Sequence, residues 1–180
     1  MRAISRPGFC VVIAVLCAGL AACAQTSQPA PETADASAPA PIVKRQGVSL
    51  ADATVALVSL DGAPDAAGDD FRKALAQQFS ARRIVAADAR KAHYLLRAYL
   101  AARPEDGGAS LTYVIDVFDP HRARLARLDD EFDVKGSGDA WSLMSAEALD
   151  SVAGQAADEI AAFLSNTPEA KPAEALSYAE

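Results

Sequence analysis

Residues 93–118, which read HYLLRAYLAARPEDGGASLTYVIDVF, decide the fold. Two stretches within them, His93 to Ala102 and Leu111 to Phe118, are apolar at every second position. This alternation is typical of strands with one buried face, and the turn residues Asp106-Gly107-Gly108 between the two stretches favour a hairpin. The predicted buried residues are Tyr94, Leu96, Ala98 and Leu100 in the first strand and Leu111, Tyr113, Ile115 and Val117 in the second.

Further strands are predicted on both sides of the hairpin. Thr54 to Leu60 is apolar at both alternating sets of positions, which predicts a central strand buried on both faces. Ile84 to Ala86 predicts a short strand, and Arg124 to Val134 predicts a strand that returns after the turn at Pro120. In that strand Asp130 falls on the inward phase, so we expect a bulge or an edge position there.

Two helices are predicted from apolar residues that recur every three or four positions. The first has Asp69 as its N-cap, extends to about Arg83 and buries Phe71, Leu75 and Phe79. The second has Ser145 as its N-cap and stops at 166–168. Its predicted buried face consists of Leu149, Val152, Ala153, Ala156, Ile160, Phe163 and Leu164.

These elements define one domain over residues 48–166. Asp88 to Ala92 adds a turn or a single helical turn, so the element order is β-α-β-(short α)-β-β-β-α. About 120 residues are enough for one hydrophobic core but not for two. The predicted fold is an α/β structure of the α+β type, a two-layer sandwich in which two main helices pack on a mixed sheet of about five strands.

The first 22 residues are typical of an export signal. Arg2 and Arg6 form a positively charged start, Phe9 to Leu20 an apolar centre, and Ala21-Ala22 a small-residue cleavage site. An apolar helix of this length rises only ~18 Å, which is too short for the roughly 30 Å core of a bilayer. An ordinary secretory signal would leave the next residue, Cys23, as a free thiol.

The four residues Leu20-Ala21-Ala22-Cys23 resemble the lipobox of bacterial lipoproteins. The resemblance implies cleavage before Cys23, a lipid on that residue and attachment to a membrane, for which two or more acyl chains suffice. Ala24, where an Asp would favour the inner membrane, implies the periplasmic face of the outer membrane. Residues 23–47 contain Pro29, Pro31, Pro39 and Pro41 among small residues and are predicted to be a disordered tether that reaches up to ~70 Å. Residues 167–180 are predicted to be a disordered acidic tail.

Composition excludes several classes of function. All three cysteines lie at or before position 23, so the mature chain contains neither a disulfide nor a cysteine nucleophile. Without Arg2 and Arg6, 15 basic residues oppose 24 acidic ones, a formal charge of −9. This acidity argues against nucleic-acid binding, and it also disfavours a broad basic surface on anionic lipid.

No constellation of residues indicates catalysis, a cofactor or a metal. His93 and His121 are the only histidines and have no metal-ligand spacing. The acidic residues from Asp129 to Asp133 would be divided between two faces of a strand, so a solvated face is expected instead of a calcium site. Gly136-Ser137-Gly138 lacks the lysine of a phosphate-binding loop and is interpreted as a hinge.

A cluster of basic residues is the main candidate for binding a partner. Six Lys or Arg residues fall within residues 82–103, where Asp88 is the only acid. Such polarity steers protein partners, although charges scattered for solubility would give the same sequence. Trp141 is either a plug of the core or an anchor for a partner. The predicted partner-binding residues are Arg82, Arg83, Arg90, Lys91, Arg97 and Trp141.

The lipobox, the Pro-rich tether and the element order together resemble the lipoproteins that activate penicillin-binding proteins, whose globular part is similar to the amino-terminal domain of the Tol translocation protein. The nearest local match is Ala92-His93-Tyr94-Leu95-Leu96, where these domains have an Ala-Asp-Tyr-Leu-like start to the third strand. The resemblance implies a non-enzymatic adaptor or regulator of another envelope protein, such as a peptidoglycan synthase. The alternative is a lipoprotein that binds a small ligand or a glycan, or, with less support, a hydrolase.

Overall fold

The computed structural model describes residues 42–173, and residues 1–41 and 174–180 lie outside it. The predicted signal peptide, Cys23 and most of the predicted tether therefore fall outside the described residues. The contacts of the chain divide it into two units, and the described residues belong to the second, Ala40–Glu180. The core residues of this described part lie between Leu50 and Ala170.

The fold is an α+β sandwich, which confirms the predicted fold class. In chain order the elements are β1 (Val48–Ser49), β2 (Val55–Asp61), α1 (Asp65–Ala81), β3 (Tyr94–Glu105), β4 (Gly108–Phe118), β5 (Arg124–Lys135), α2 (Ala146–Ser165) and β6 (Lys171–Pro172), with a short 3₁₀ helix at Trp141–Leu143. A four-stranded sheet has the order β2-β3-β4-β5, and β1 and β6 form a second, two-stranded sheet. β2 is parallel to β3, whereas the β3–β4 and β4–β5 pairs are antiparallel.

The β3–β4 hairpin has the predicted burial pattern. Its register pairs Leu96 with Val117 and Leu100 with Tyr113, so the apolar sets of both strands face the same side. All eight residues predicted to be buried are buried. Gly107 in the turn has a φ of 82°, a backbone conformation that glycine adopts without steric cost.

Both helices pack on this apolar side of the sheet. In α2 the hydroxyl of Ser145 accepts a hydrogen bond from the backbone N–H of Ala148, which confirms the predicted N-cap. Six of the buried residues of α2 are alanines, and their small side chains let the helix backbone lie close to the sheet. They are Ala148, Ala153, Ala156, Ala157, Ala161 and Ala162. Leu149, Val152, Ile160 and Leu164 fill the space between the alanines and complete the core.

Two predictions about the sheet are wrong. The segment Ile84–Ala86 forms only an isolated parallel bridge, from Ala86 to Val55, so the main sheet has four strands. β2 is consequently an edge strand and not a central one, and Val58 is exposed. Of the two alternatives predicted for Asp130, the edge position is confirmed, because Asp130 lies in β5 at the other edge of the sheet. The irregularity in the β4–β5 pairing does not involve Asp130 but falls between Val117 and Phe118.

The first helix begins earlier than predicted. α1 starts at Asp65 and its N-cap is Pro64, which has no side-chain hydrogen bond to the helix. Asp69 lies one turn inside the helix and forms a 3.0 Å ion pair with Arg72. The carboxylate that was predicted to cap the helix therefore forms a surface ion pair with an arginine of the same helix.

The ordered chain also extends beyond residue 166, where the tail was predicted to begin. Thr167 and Ala170 are buried. Lys171 and Pro172 pair with Ser49 and Val48 in the two-stranded sheet. Neither helix of the described part is both long enough and apolar enough to cross a bilayer.

We predict that Leu149→Asp unfolds the domain, because Leu149 is 1% exposed on the buried face of α2, near the start of the helix. Loss of a buried leucine costs about 2–5 kcal/mol, and burial of a carboxylate adds to this, against a total stability of about 5–15 kcal/mol. Circular dichroism melting measures the effect. The control Ser151→Asp, on the exposed side of the same helix, should melt near the wild type. If Leu149→Asp also melted there, the assigned buried face would be wrong.

Candidate protein-interaction site

One face of the main sheet carries no helix in the described part of the chain, and we call it the helix-free face. The strand register places on it those residues of each strand that alternate with the core residues. At its centre Tyr99 from β3 is 41% exposed. The neighbouring residues are Leu95, Arg97 and Ala101 from β3, Thr112, Val114, Asp116 and Phe118 from β4, and Arg127, Asp129 and Glu131 from β5.

An arginine–carboxylate cluster organises one end of the helix-free face. Asp116 is only 5% exposed. Arg127 donates to both of its carboxylate oxygens at 2.8 Å, and Arg124 lies at 3.5 Å. Hydrogen bonds from Arg127 and the charges of both arginines hold the pKa of Asp116 below its usual value. Arg97 extends over the ring of Phe118, with 5.3 Å from Cζ to the ring centroid.

The other end of the helix-free face is acidic. The hydroxyl of Ser110 donates to Glu131, and Arg103 lies 3.9 Å from the same carboxylate. Between the two ends, the hydroxyl oxygen of Thr112 is buried and has no hydrogen-bond partner among the described residues. The face therefore combines an aromatic and aliphatic centre with charged groups of opposite sign at its two ends.

Arg82, predicted to bind a partner, instead joins the two helices. Its Nε and Nη2 donate to the two carboxylate oxygens of Asp158 at 2.7 and 2.8 Å, and Nη2 also donates to the carbonyl of Gly154 at 3.1 Å. Gln78, which accepts from Nη1 of Arg82, donates to Asp150 at 3.0 Å. The hydrogen bond from Arg82 lowers the pKa of Asp158. This guanidinium is engaged within the domain and is not part of a free basic surface.

The structure divides the other predicted partner-binding residues among different surfaces of the domain. Arg83, Arg90 and Lys91 are exposed in the connection between α1 and β3, whereas Arg97 lies on the helix-free face. Trp141 is half-buried and packs against the core near the start of α2, as the core-plug alternative predicted. Arg97 therefore lies on a different face from Arg83, Arg90 and Lys91, although all four are near the end of the sheet where β3 begins.

A surface depression beside His93 is one place where a small ligand would be sought. Its polar groups bind one another: Lys171 lies 2.6 Å from Asp52, and Nδ1 of His93 lies 3.0 Å from the hydroxyl of Thr54. Glu169, also in the lining, accepts from the hydroxyl of Tyr94. No cluster of His, Cys, Asp or Glu residues able to hold a metal occurs within residues 42–173. The depression therefore offers few unengaged polar groups to a ligand.

A carboxylate that the sequence analysis missed lies beside the core. Glu159 on α2 accepts a 3.0 Å hydrogen bond from the hydroxyl of Tyr113 on β4. Burial, together with the charges of Asp130 and Asp129, raises the pKa of Glu159. Tyr113 and Glu159 are 46 residues apart, and no local pattern relates them.

Comparisons with known proteins identify no family for this chain. No protein-family model matches the chain, and no curated protein is similar to it in sequence. Among solved structures, it is similar to the PelC dodecamer from Paraburkholderia phytofirmans, with 15% identity, a TM-score of 0.42, and coverage of 69% of this chain and 96% of that chain. A PelC variant from the same organism gives 15% identity, a TM-score of 0.44, and coverage of 69% and 95%. A similarity this low supports neither a shared function nor a shared assembly.

We predict that Arg82→Met destabilises the domain by about 1–2 kcal/mol, because it removes a bidentate ion pair on a largely exposed carboxylate together with a hydrogen bond to a backbone carbonyl. Urea unfolding gives the free energy of unfolding. The adjacent variant Arg83→Met removes an exposed arginine and should change this free energy by less than about 0.5 kcal/mol. Equal effects of the two variants would contradict the role assigned to Arg82.

We predict that Glu159→Gln stabilises the domain near neutral pH. The raised pKa of Glu159 means that its contribution favours folding below the unfolded-state pKa, and that this contribution is lost as the pH rises through the folded-state pKa. Glutamine retains an acceptor for Tyr113 and removes the charge. Urea unfolding should therefore show a gain at about pH 7 that fades towards about pH 4, where glutamate is largely protonated. A gain independent of pH would contradict this assignment.

Proposed function

We propose that this protein is a non-enzymatic lipoprotein of the cell envelope, held through Cys23 on the periplasmic face of the outer membrane, and that it binds another envelope protein. The observation that carries the proposal is the helix-free face, a side of the sheet that no described element covers. Tyr99 and several half-buried apolar side chains lie at its centre, and arginines lie at one end. Tyrosine and arginine are enriched among the residues that dominate binding energy at interfaces.

The size of the helix-free face fits a specific interface. Four strands about 4.8 Å apart and eleven residues at about 3.4 Å each give roughly 700 Å². A standard interface buries about 800 Å² on each partner. The face alone therefore supplies most of the area that one partner needs.

The tether and the lipid anchor would support binding by confining the domain near its partner. Two molecules held on one surface meet at a high effective concentration, so a modest interface is sufficient. The resemblance to activators of penicillin-binding proteins makes a peptidoglycan synthase the partner to test first.

A photo-cross-linking amino acid placed at Tyr99 of the full chain in living cells tests the proposal. We expect a discrete adduct with an envelope protein, because Tyr99 lies at the exposed centre of the helix-free face. The adduct should disappear with Ala101→Arg, which adds a bulky charge at an exposed position of the same face. Mass spectrometry of the mature protein should find a lipid on Cys23.

The control places the same amino acid at Lys73, an exposed residue of α1 on the helical side of the domain. That position should give no such adduct. Identical adducts from Tyr99 and Lys73, or an adduct indifferent to Ala101→Arg, would contradict binding through this face. An unmodified thiol at Cys23 would contradict the lipid anchor independently of the cross-linking result.

A further inference from the structure

The charges of the described chain are segregated between the two ends of the main sheet. One end is formed where β2, β3 and β5 begin and β4 stops, because Val55 pairs with Tyr94, Leu95 with Phe118, and Phe118 with Arg124. We call it the basic end. The segment 82–93, the turn 119–123 and the β1–β6 sheet all lie at this end, since they adjoin the first or last residues of these strands.

Separate segments supply the cations of the basic end. Arg83, Arg90 and Lys91 lie in the connection that leads into β3, and all three are exposed. Arg122 is exposed in the turn between β4 and β5, and Arg124 follows at the start of β5.

Residues near the entry of the chain add further cations. A side-chain nitrogen of Arg45 donates to the carbonyl of Ala170 at 2.9 Å, which places Lys44 and Arg45 next to the segment that holds Lys171. Arg97 and Arg127 complete the set from the neighbouring part of the helix-free face.

The count is strongly asymmetric. Apart from the internal Arg82–Asp158 pair, ten of the 14 described Lys and Arg residues lie at the basic end, but only five of the 19 described Asp and Glu residues do. Three of those five are engaged, Asp52 with Lys171, Asp116 with Arg127, and Glu169 with Tyr94. A chain of net charge −7 thus presents a surface of net positive charge.

Exposed aliphatic side chains occur at the same end. Six large hydrophobic residues of the described chain are exposed, and four of them are at the basic end: Ile42 at 40%, Val43 at 78%, Val85 at 41% and Leu125 at 49%. Aliphatic side chains beside exposed cations are the combination found where proteins lie in a membrane interface. This combination is absent from the acidic end of the described sheet.

The chain also enters the described domain at the basic end. The backbone N–H of Arg45 donates to the hydroxyl of Ser165 at 2.8 Å, and Asn166 donates to the carbonyl of Val43. Only 18 residues separate Val43, at this end, from Ala24, which follows the proposed lipid site at Cys23. The end of the domain nearest the anchor in sequence is therefore the one that carries the cations.

We propose that the basic end docks on an anionic lipid surface. The inference rests on the proposed function for the position of the lipid, and it adds that the domain is held against the headgroups and is not free at the end of its tether. A lipid surface fits better than an acidic protein segment because the cations come from several segments spread around one end of the sheet. Each Lys or Arg close to an anionic membrane contributes to attraction that weakens with salt.

Vesicle flotation of the mature chain with Cys23→Ala tests docking without the lipid. Residues 1–22 are omitted, and every described residue, 42–173, is retained. We expect the chain to float with vesicles of phosphatidylcholine containing 30% phosphatidylglycerol, to float poorly with phosphatidylcholine alone, and to be released by 0.5 M NaCl. The triple variant Arg90→Glu/Lys91→Glu/Arg122→Glu, all outside the helix-free face, should weaken binding at least roughly tenfold.

The matched control is Lys73→Glu/Arg103→Glu/Lys135→Glu, which changes the net charge equally at exposed positions away from the basic end. It should retain more than half of the wild-type binding, and circular dichroism should show that both variants are folded. Equal losses in the two variants would mean that net charge alone governs binding and would overturn the proposal. Equal binding of the wild type to both kinds of vesicle would also overturn it. Because no lipid is attached to this chain, either result leaves the test of Cys23 unaffected.

Discussion

The packing of α2 against the β3–β4 hairpin is the interaction on which the rest of the structure depends. The hairpin directs its large apolar residues to one side, and α2 meets them with a face rich in alanine, where Ala153, Ala156, Ala157 and Ala161 are fully buried. Small residues let the helix axis lie close to the sheet, so Leu149, Ile160 and Leu164 reach between the strand residues. Because the two helices lie side by side on this face, they cover it, and no helix among residues 42–173 covers the opposite face of the sheet.

The elements that the sequence predicted correctly are those specified by local pattern. Alternation defines β3 and β4, and a run of 20 helical residues with a serine cap defines α2. The segment 84–86 has the composition of a strand, but it pairs with the edge strand β2 only through the single bridge from Ala86 to Val55, and no local pattern encodes this limit. The same holds for Lys171 and Pro172, which are ordered because they pair with Val48 and Ser49 far away in the sequence.

The candidate site was harder to predict from the sequence than the helices and strands were. Arg82 and Arg83 are neighbours in sequence, yet the first is held by Asp158 on α2 and the second is exposed. Conversely, Arg90 and Arg122 are far apart in sequence but lie at one end of the sheet because β3 begins where β4 stops. The net charge disfavoured a broad basic surface on anionic lipid, because a sum over the chain does not record where its charges lie. The sequence shows which residues are charged and with which sign, but only the structure shows which of them share a surface.

The cations at the basic end are not explained by compensation of the helix dipoles. Both helices have their C-termini at the basic end, as the contact of Arg82 with Asp158 and the pairing of Tyr94 with Glu169 indicate. Cations stabilise a helix C-terminus within its last turn, but neither α1 nor α2 has a basic residue in its last turn. Arg122 and Arg124 belong to the β4–β5 connection and not to a helix. Arg127 and Lys171 are paired within the domain, with Asp116 and Asp52. Arg90, Lys91 and Arg122 are exposed, and their charge is available to a surface outside the domain.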